Sequence, residues 1–430
     1  MVVINKIKIF FFTIFFLLIS IKCYSNIILD YETEEFIKEI NKQILSVNKF
    51  NNKINFKIIY DRNINAYVNQ NNTIYISSGL IEKSPSYVSL LGVIAHEIGH
   101  IEKFHINKKI ESIENLKFLN ILGNISILAG SIISNNPEII QTIAANEIGI
   151  NNFYINFSKE QEREADNYAI DTLNKLNLPS SPLIELINII EKESLKKGIT
   201  EEHSKFSTHP IYSERYDIIE KNKKNNVGLI NMNTENNFYF IKAKFLGYSL
   251  NNLLKLEQYL PSQYQDYTKS IYYSKNGELK KSLVLLNSLI EKNKDNYYLL
   301  ETKADILLSH GYSEEAINFY KVVLKKYPKN KYIQIKIFNN TNTKNLSKSQ
   351  KIKLFNNNLN LLFKFPNYKI LYLKYKYLSE DLNLINWVQF FEIYDQKFIL
   401  KREEFIKKLK YISTNSNDKM LNKIIKLHIK

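Results

Sequence analysis

The chain has 430 residues and a formal charge of +16, long enough for more than one domain and strongly cationic. Its lysines are dispersed among Asn, Ile and Tyr, with no basic stripe and no nucleic-acid motif. That pattern excludes nucleic acid as the partner and leaves solvation with a mild attraction to anionic lipid. The lone cysteine, Cys23, rules out a disulfide framework.

In chain order, Lys6 and Lys8 precede a 13-residue apolar run, Ile9–Ile21, followed by Cys23-Tyr24-Ser25. A basic flank, a short apolar core and small residues describe a secretory signal over residues 1–25, cleaved near Ser25. The run is short for a membrane span, although an uncleaved anchor is the competing reading. Lys22 stands where a lipoprotein needs a small residue. Cleavage after Ser25 leaves a mature chain without cysteine, indifferent to the redox state of its compartment. Asn72–Ser77 alternates like a strand, with Asn71-Asn72 before it and Gly79 after it.

The next element carries the chemistry. Ser84-Pro85 predicts a helix start, with Ser84 as N-cap and Pro85 in the first turn. Leu90, Leu91, Ile94, Ile98 and Ile101 then recur at helical spacing. Within this helix lie His96-Glu97-Ile98-Gly99-His100, an H-E-x-x-H motif. Residues four apart share a helical face, so both imidazoles converge on one point with the Glu97 carboxylate alongside. That is the donor arrangement of a zinc hydrolase. Gly92 and Gly99 cost helix propensity and predict a close helix neighbour.

Leu116–Ile133 and Ile139–Ile150 are apolar, but Lys117, Asn120, Asn124 and Ser126 break the first run. A helical hairpin beside the site fits better than a membrane span; it either covers the cleft or touches a membrane surface. A second helix opens at Ser158, with Gln161 at capping-box spacing, and runs to about Leu176 before Pro179. Glu162 and Asp166 share a face of it. Glu162 can bind the metal as a third ligand while Asp166 accepts a hydrogen bond from a ligating imidazole, the competing reading being a solvated charged helix face. Glu164 is the weaker ligand candidate. His209 precedes Pro210 and a helix through Ile211–Ile219, where a helix N-terminus disfavours a cation and keeps the imidazole neutral. His209 and Arg215 are the candidates for a second electrophile, beside the metal, toward the tetrahedral oxyanion, the remaining reading of His209 being that it merely shapes the helix start.

Helices are expected from about Phe238 to Leu260, and a 34-residue period follows. It pairs Gly277 with Gly311, Ser282 with Ala316, Leu286 with Tyr320, Leu289 with Val323 and Asn296 with Asn330. The period resembles tetratricopeptide repeats, each helix pair burying one face against the next. Degenerate copies continue from Tyr332, with Phe365-Pro366 as a repeat boundary.

H-E-x-x-H followed by Glu162-Arg163-Glu164-Ala165-Asp166 resembles metallopeptidase family forty-eight, the HtpX- and Oma-type zinc endopeptidases. Ile28-Leu29-Asp30, Ile64–Val68, Thr73–Leu80, His105 and Thr208-His209-Pro210 are similar to segments of its periplasmic branch, whose members carry C-terminal repeats and act in outer-membrane assembly. The likeness covers roughly residues 28–220. It implies a mainly α protein: an α+β zincin-type metalloprotease domain with a small sheet, then an α-helical tetratricopeptide-like array. The domains are expected at residues 1–25 (signal), 26–225 (protease), 226–265 (connecting helices) and 266–430 (repeats). It also implies one Zn2+ per chain on His96, His100 and Glu162, with Glu97 as general base toward the zinc-activated water. His209 would be a removable fourth ligand. The Asn72–Ser77 strand would be an exposed edge that binds extended substrate beside the zinc helix. His105 reads as an exposed residue or as one that supports a ligand, the first favoured.

The expected substrates are misfolded or misassembled envelope proteins in the periplasm. The expected partners are outer-membrane assembly machinery, reached through the repeats, and the membrane periphery. The alternative is a periplasmic chaperone or adaptor with a silent metal site, which has no use for a general base at Glu97. A membrane-embedded prenyl-type protease is disfavoured by the absence of clean spans.

Overall fold

The computed structural model describes residues 27–50, 53–69, 71–106, 157–196, 213–224, 228–254, 256–341 and 402–429, with isolated positions between 347 and 394. The expected signal, the 116–150 hairpin, His209 and the Phe365-Pro366 boundary lie outside these residues. The chain forms two compact units, Met1–Lys269 and Ser270–Lys430. Among the described residues no helix is long and apolar enough to cross a membrane.

The first unit is built on a four-stranded sheet. Its strands are β1 (Ile27–Ile28), β2 (Asn55–Ile59), β3 (Ala66–Val68) and β4 (Thr73–Ser77), in the order β1-β2-β4-β3. β4 pairs in parallel with β2 and antiparallel with β3. The strand expected at an exposed edge is therefore interior. Its hydrogen-bonding groups are used on both sides, and Ile74 and Ile76 are fully buried. β3 holds the edge instead. Asn72, taken as the first strand residue, has φ 51° and ends the turn from β3, a conformation that Asn tolerates better than most residues.

The helices of this unit are α1 (Tyr31–Val47), α2 (Ser78–Lys83), α3 (Tyr87–Glu102), α4 (Lys159–Lys175), α5 (Ser181–Lys196), α6 (Ser213–Asn222) and α7 (Met232–Ser249). Ile37, Ile40 and Ile44 of α1, Ile58 and Ile74 of the sheet, and Leu91, Ile94 and Ile98 of α3 share one core. α3 is thus enclosed rather than amphipathic. Asp30 caps α1 by accepting from the Thr33 amide at 2.8 Å.

Ser84 does not start α3. Its hydroxyl and amide both donate to the Leu80 carbonyl, at 2.7 and 2.9 Å, and close α2. Ser86 is the N-cap, in a capping box with Ser89. α7, in the stretch read as connecting helices, fastens this turn. The Glu235 carboxylate accepts from Ser86 Oγ (2.9 Å) and the Tyr87 amide (3.1 Å). Lys242 Nζ donates to the Ser84 carbonyl at 2.8 Å, and Tyr239 donates to that of Pro85 at 2.9 Å. Placing a carboxylate at the amide end of the α3 dipole favours the start of the metal-ligand helix. Two residues on, Lys244 bridges Asp30 and Glu32 at 2.6 Å each.

Burial pushes the Glu82 carboxyl up to about 7 from 4.5, although Ser249, Lys83, Arg62 and Lys242 oppose the shift. Between about pH 4.5 and pH 7 folded Glu82 keeps a proton that the unfolded chain has released, so stability falls as pH rises through that window. Glu82→Gln is expected to remove this decline, on the order of 2–3 kcal/mol. Urea unfolding of both proteins at the two pH values measures it, and parallel profiles would discard the assignment.

α3 and α4 cross closely. A Cβ on Gly99 would lie 3.1 Å from Ala165 Cα and 3.1 Å from Tyr168 Cβ; one on Gly92 would meet the Leu183 side chain of α5 at 3.0 Å. Both glycines mark close helix neighbours, as their cost in helix propensity implied.

In the second unit α9 (Leu279–Lys292) packs on α10 (Tyr297–Ser309), α10 on α11 (Ser313–Lys326) and α11 on α12 (Lys331–Asn340). α8 (Ser262–Lys275) precedes them, and α13 (Arg402–Asn415) and α14 (Lys419–Ile429) pack on each other near the end. In place of the helix expected up to Leu260, α7 stops at Ser249 and a single 3-10 turn occupies Leu256–Gln258. The 34-residue period has a structural counterpart. Gly277 and Gly311 both adopt positive φ, 84° and 89°, between successive helices. Ser282 and Ala316, and Leu286 and Tyr320, are all fully buried. Asn296 and Asn330 each cap the next helix with the side-chain oxygen. The result is a mainly helical chain, an α+β domain followed by a helical array.

Candidate metal centre

Two helices bring the predicted ligands together. α3 supplies His96 and His100 one turn apart, and α4 supplies Glu162 from its first turn. That turn is held by the predicted capping box: Ser158 Oγ accepts from the Gln161 amide at 3.3 Å, and the Gln161 side chain accepts from the Ser158 amide at 2.9 Å. His96, His100 and Glu162 are all buried and offer donor atoms within 4.8 Å of one another. The two Nε2 atoms are 3.1 Å apart. Glu162 Oε2 lies 3.4 Å from His96 Nε2, and Oε1 lies 3.4 Å from His100 Nε2.

Those separations test whether a metal fits. Ligands at about 2.0–2.1 Å from a tetrahedral zinc stand about 3.3 Å apart. The observed triangle has that size. Two imidazole nitrogens and one carboxylate are also a donor set that suits zinc, with fewer than four protein ligands leaving a position for solvent.

Around the triangle, Asp166 Oδ1 lies 2.8 Å from His96 Nδ1. A carboxylate only accepts, so the proton sits on Nδ1 and the Nε2 lone pair faces the other donors. Arg215 of α6 grips the same carboxylate twice, Nε to Oδ2 at 2.8 Å and Nη2 to Oδ1 at 2.6 Å. Its third nitrogen, Nη1, is 3.9 Å from Glu162 Oε2. Burial by itself would raise the Asp166 carboxyl; Arg215, together with His96, holds it below the ordinary range. Burial likewise opposes charge on His96, but its hydrogen bond and attraction to Asp166, with Glu162 adding to them, leave its pKa raised. Glu97 is only 1 % exposed, and its charge is among those that raise Arg215.

The structure therefore gathers His96, His100, Glu97, Glu162, Asp166 and Arg215, while His209 lies outside the described residues. Arg215 holds Asp166 with two of its nitrogens, a positioning contact, and its expected part as an electrophile stays a proposal. Of the two readings of His105, the structure bears out the one in which it supports a ligand, and not the favoured one of an exposed residue. His105 is 1 % exposed, with Nδ1 2.9 Å from His100 Nδ1 and Nε2 2.7 Å from Glu164 Oε2. Glu164, the weaker ligand candidate, faces His105 and stays half-exposed. Phe157 stacks on the His100 ring, centroids 3.7 Å apart at 15°.

Comparison with known proteins agrees with this geometry. The profile of peptidase family M48 matches residues 31–223, from the first turn of α1 to the end of α6. This domain belongs to peptidase family M48. The chain is similar to the putative beta-barrel assembly-enhancing protease of Vibrio cholerae serotype O1, 23% identical over 295 residues, covering 65% of this chain and 60% of that protein. Similarity to the beta-barrel assembly-enhancing protease of Escherichia coli strain K12 is also 23%, over 304 residues, 67% of this chain and 60% of that one. The metalloprotease LoiP of Escherichia coli K12 is 27% identical over 165 residues, 38% of this chain and 60% of that protein. The chain thus spans about 60% of the length of the curated relatives it matches. The M48 match encloses every residue gathered at the site, from His96 to Arg215.

Proposed function

We propose that this chain is a zinc endopeptidase of the bacterial periplasm that cleaves misfolded or stalled envelope and outer-membrane proteins. The observation that carries the reading is the triangle of His96, His100 and Glu162, buried and of zinc-binding size, with Glu97 one residue from a ligand. His96 and His100 would hold one Zn2+ through Nε2, and Glu162 through its carboxylate. Zinc bound there supplies Lewis acidity toward water and the scissile carbonyl. Glu97 accepts the proton of the attacking water on its carboxylate and returns it to the leaving amine. Asp166 fixes the His96 tautomer, and Arg215 keeps Asp166 charged and in place. His209 serves as the second electrophile or a displaceable ligand. Extended substrate pairs with the sheet edge at β3, which packs against α3.

The domain limits follow the same reading: signal to residue 25, peptidase domain to 225, connecting helices to 265, then tetratricopeptide-like repeats that recruit substrate or an outer-membrane assembly partner. Supporting the envelope assignment are the basic, apolar N-terminus and the names of the similar proteins.

Metal analysis of the purified chain tests the core of this reading. One zinc per chain is expected, lost in His96→Ala and Glu162→Ala, together with chelator-sensitive cleavage of casein. A chain that binds no zinc and cleaves nothing, yet suppresses aggregation of unfolded proteins, would replace the peptidase by a chaperone.

A further inference from the structure

The two imidazole ligands are oriented by different devices. His96 has the expected one, a carboxylate on Nδ1. The His100 Nδ1 faces another imidazole instead, that of His105. Two neutral imidazoles facing each other through Nδ1 do not by themselves decide which one donates. Either pattern makes one hydrogen bond. Only one of them leaves a lone pair on His100 Nε2, where the metal needs it.

The far side of His105 breaks the tie. Its Nε2 lies 2.7 Å from Glu164 Oε2, and a carboxylate cannot donate. His105 must then carry its proton on Nε2, which leaves its Nδ1 as an acceptor. His100 must therefore donate from Nδ1, and its Nε2 presents a lone pair toward His96 Nε2 and Glu162. The chain of bonds runs His100 Nδ1–H to His105 Nδ1, then His105 Nε2–H to Glu164.

Its placement suits that task. His100 and His105 are 0 % and 1 % exposed, while Glu164 sits at the surface with its side chain 43 % exposed. The carboxylate can stay ionised at little desolvation cost and still reach a buried ring. Phe157 closes one face of His100, so the imidazole has little freedom to turn away. His105 follows α3 on a short turn past Phe104, whose φ is 56°, and that reversal carries it back to the His100 ring. Glu164 comes from α4, two residues after the ligand Glu162. One helix pair thus supplies both the donors and the relay that orients one of them.

We infer that His105 and Glu164 form a positioning relay that sets the tautomer of His100 and presents its Nε2 to the metal. This rests on the zinc reading of the preceding section. The relay moves no proton during turnover; it fixes where one stays.

The test uses the full chain, with zinc affinity measured by competition against a chromophoric chelator. Wild type is expected to bind one zinc. His105→Phe, close in volume and unable to accept from Nδ1, should bind on the order of 10–100-fold more weakly. Glu164→Leu should weaken binding several-fold, roughly 3–10-fold, while Glu164→Gln, whose side-chain oxygen still accepts from His105 Nε2, should stay within about 2-fold of wild type. In nitrogen-15 spectra of the zinc-loaded chain, the hydrogen-bonded Nδ1–H proton of His100 should be present in wild type and shifted in His105→Phe. Unchanged affinity and an unchanged Nδ1–H signal in a folded His105→Phe chain would overturn the relay. If that variant does not fold, the surface pair decides: Leu weaker than Gln supports the relay, and both equal to wild type rejects it. A wild-type chain without zinc would instead strike down the metal reading itself, an outcome distinct from either.

Discussion

Glu97→Gln is expected to slow peptide hydrolysis by about 100- to 10,000-fold, the usual contribution of a positioned general base, with zinc content and unfolding midpoint unchanged. The substitution keeps the volume of a side chain that is 1 % exposed and removes only its capacity to take a proton. A glutamine can still hydrogen-bond water, so binding of water and substrate should survive while the chemical step fails. The loss should fall on kcat more than on KM. Casein cleavage by both proteins, with and without chelator, measures it. If the two proteins digest casein equally and chelation changes neither, Glu97 has no part in hydrolysis and the metal site is silent.

The second large effect is expected at Arg215. Arg215→Met removes the bidentate partner of Asp166 and leaves a carboxylate that is 3 % exposed with, among the described residues, only the His96 imidazole to balance it. Stripping one member from a buried ion pair costs about 3–5 kcal/mol. Zinc affinity should fall with it, because Asp166 would no longer be held in register with His96 Nδ1. Combining Arg215→Met with Asp166→Asn should recover part of the stability, since the uncompensated charge is gone. Denaturant unfolding of the two single variants and the double variant gives the coupling. Additive losses would show that Arg215 stabilises α6 by some other contact.

The parts of this site that were legible in the sequence are those where chemistry dictates residue type and spacing together. Two histidines four apart on a helix have one way to share a face, and the capping box at Ser158 phased α4 so that Glu162 and Asp166 had to share another. What escaped depends on contacts between segments distant in sequence. His105 gives no local sign of burial, because its cover comes from His100, Phe157 and Glu164 rather than from an apolar period of its own. The interior position of β4 is decided by which strands pair with it, and alternation along Thr73–Ser77 is equally compatible with an edge. Arg215 was recognised as a site residue, but its partner was not: a lone arginine after His-Pro does not reveal that Asp166 needs it. The clamps from α7 were invisible for a similar reason, since Glu235, Lys242 and Lys244 look like an ordinary solvated face until Ser84, Ser86 and Asp30 are placed opposite them.

The crossing at Gly99 sets the spacing of the donors by means of an atom that is not there. Only a hydrogen separates α3 from the Ala165 backbone and from Tyr168, so that position acts as a gauge block between the helix bearing both imidazoles and the one bearing the carboxylate. A side chain longer than a methyl would press the pair apart and widen the triangle, and even a methyl asks its neighbours to give by a few tenths of an ångström. Tolerance should therefore fall with side-chain size there, folding and metal retention failing in step, whereas Glu97→Gln should keep both and lose only hydrolysis.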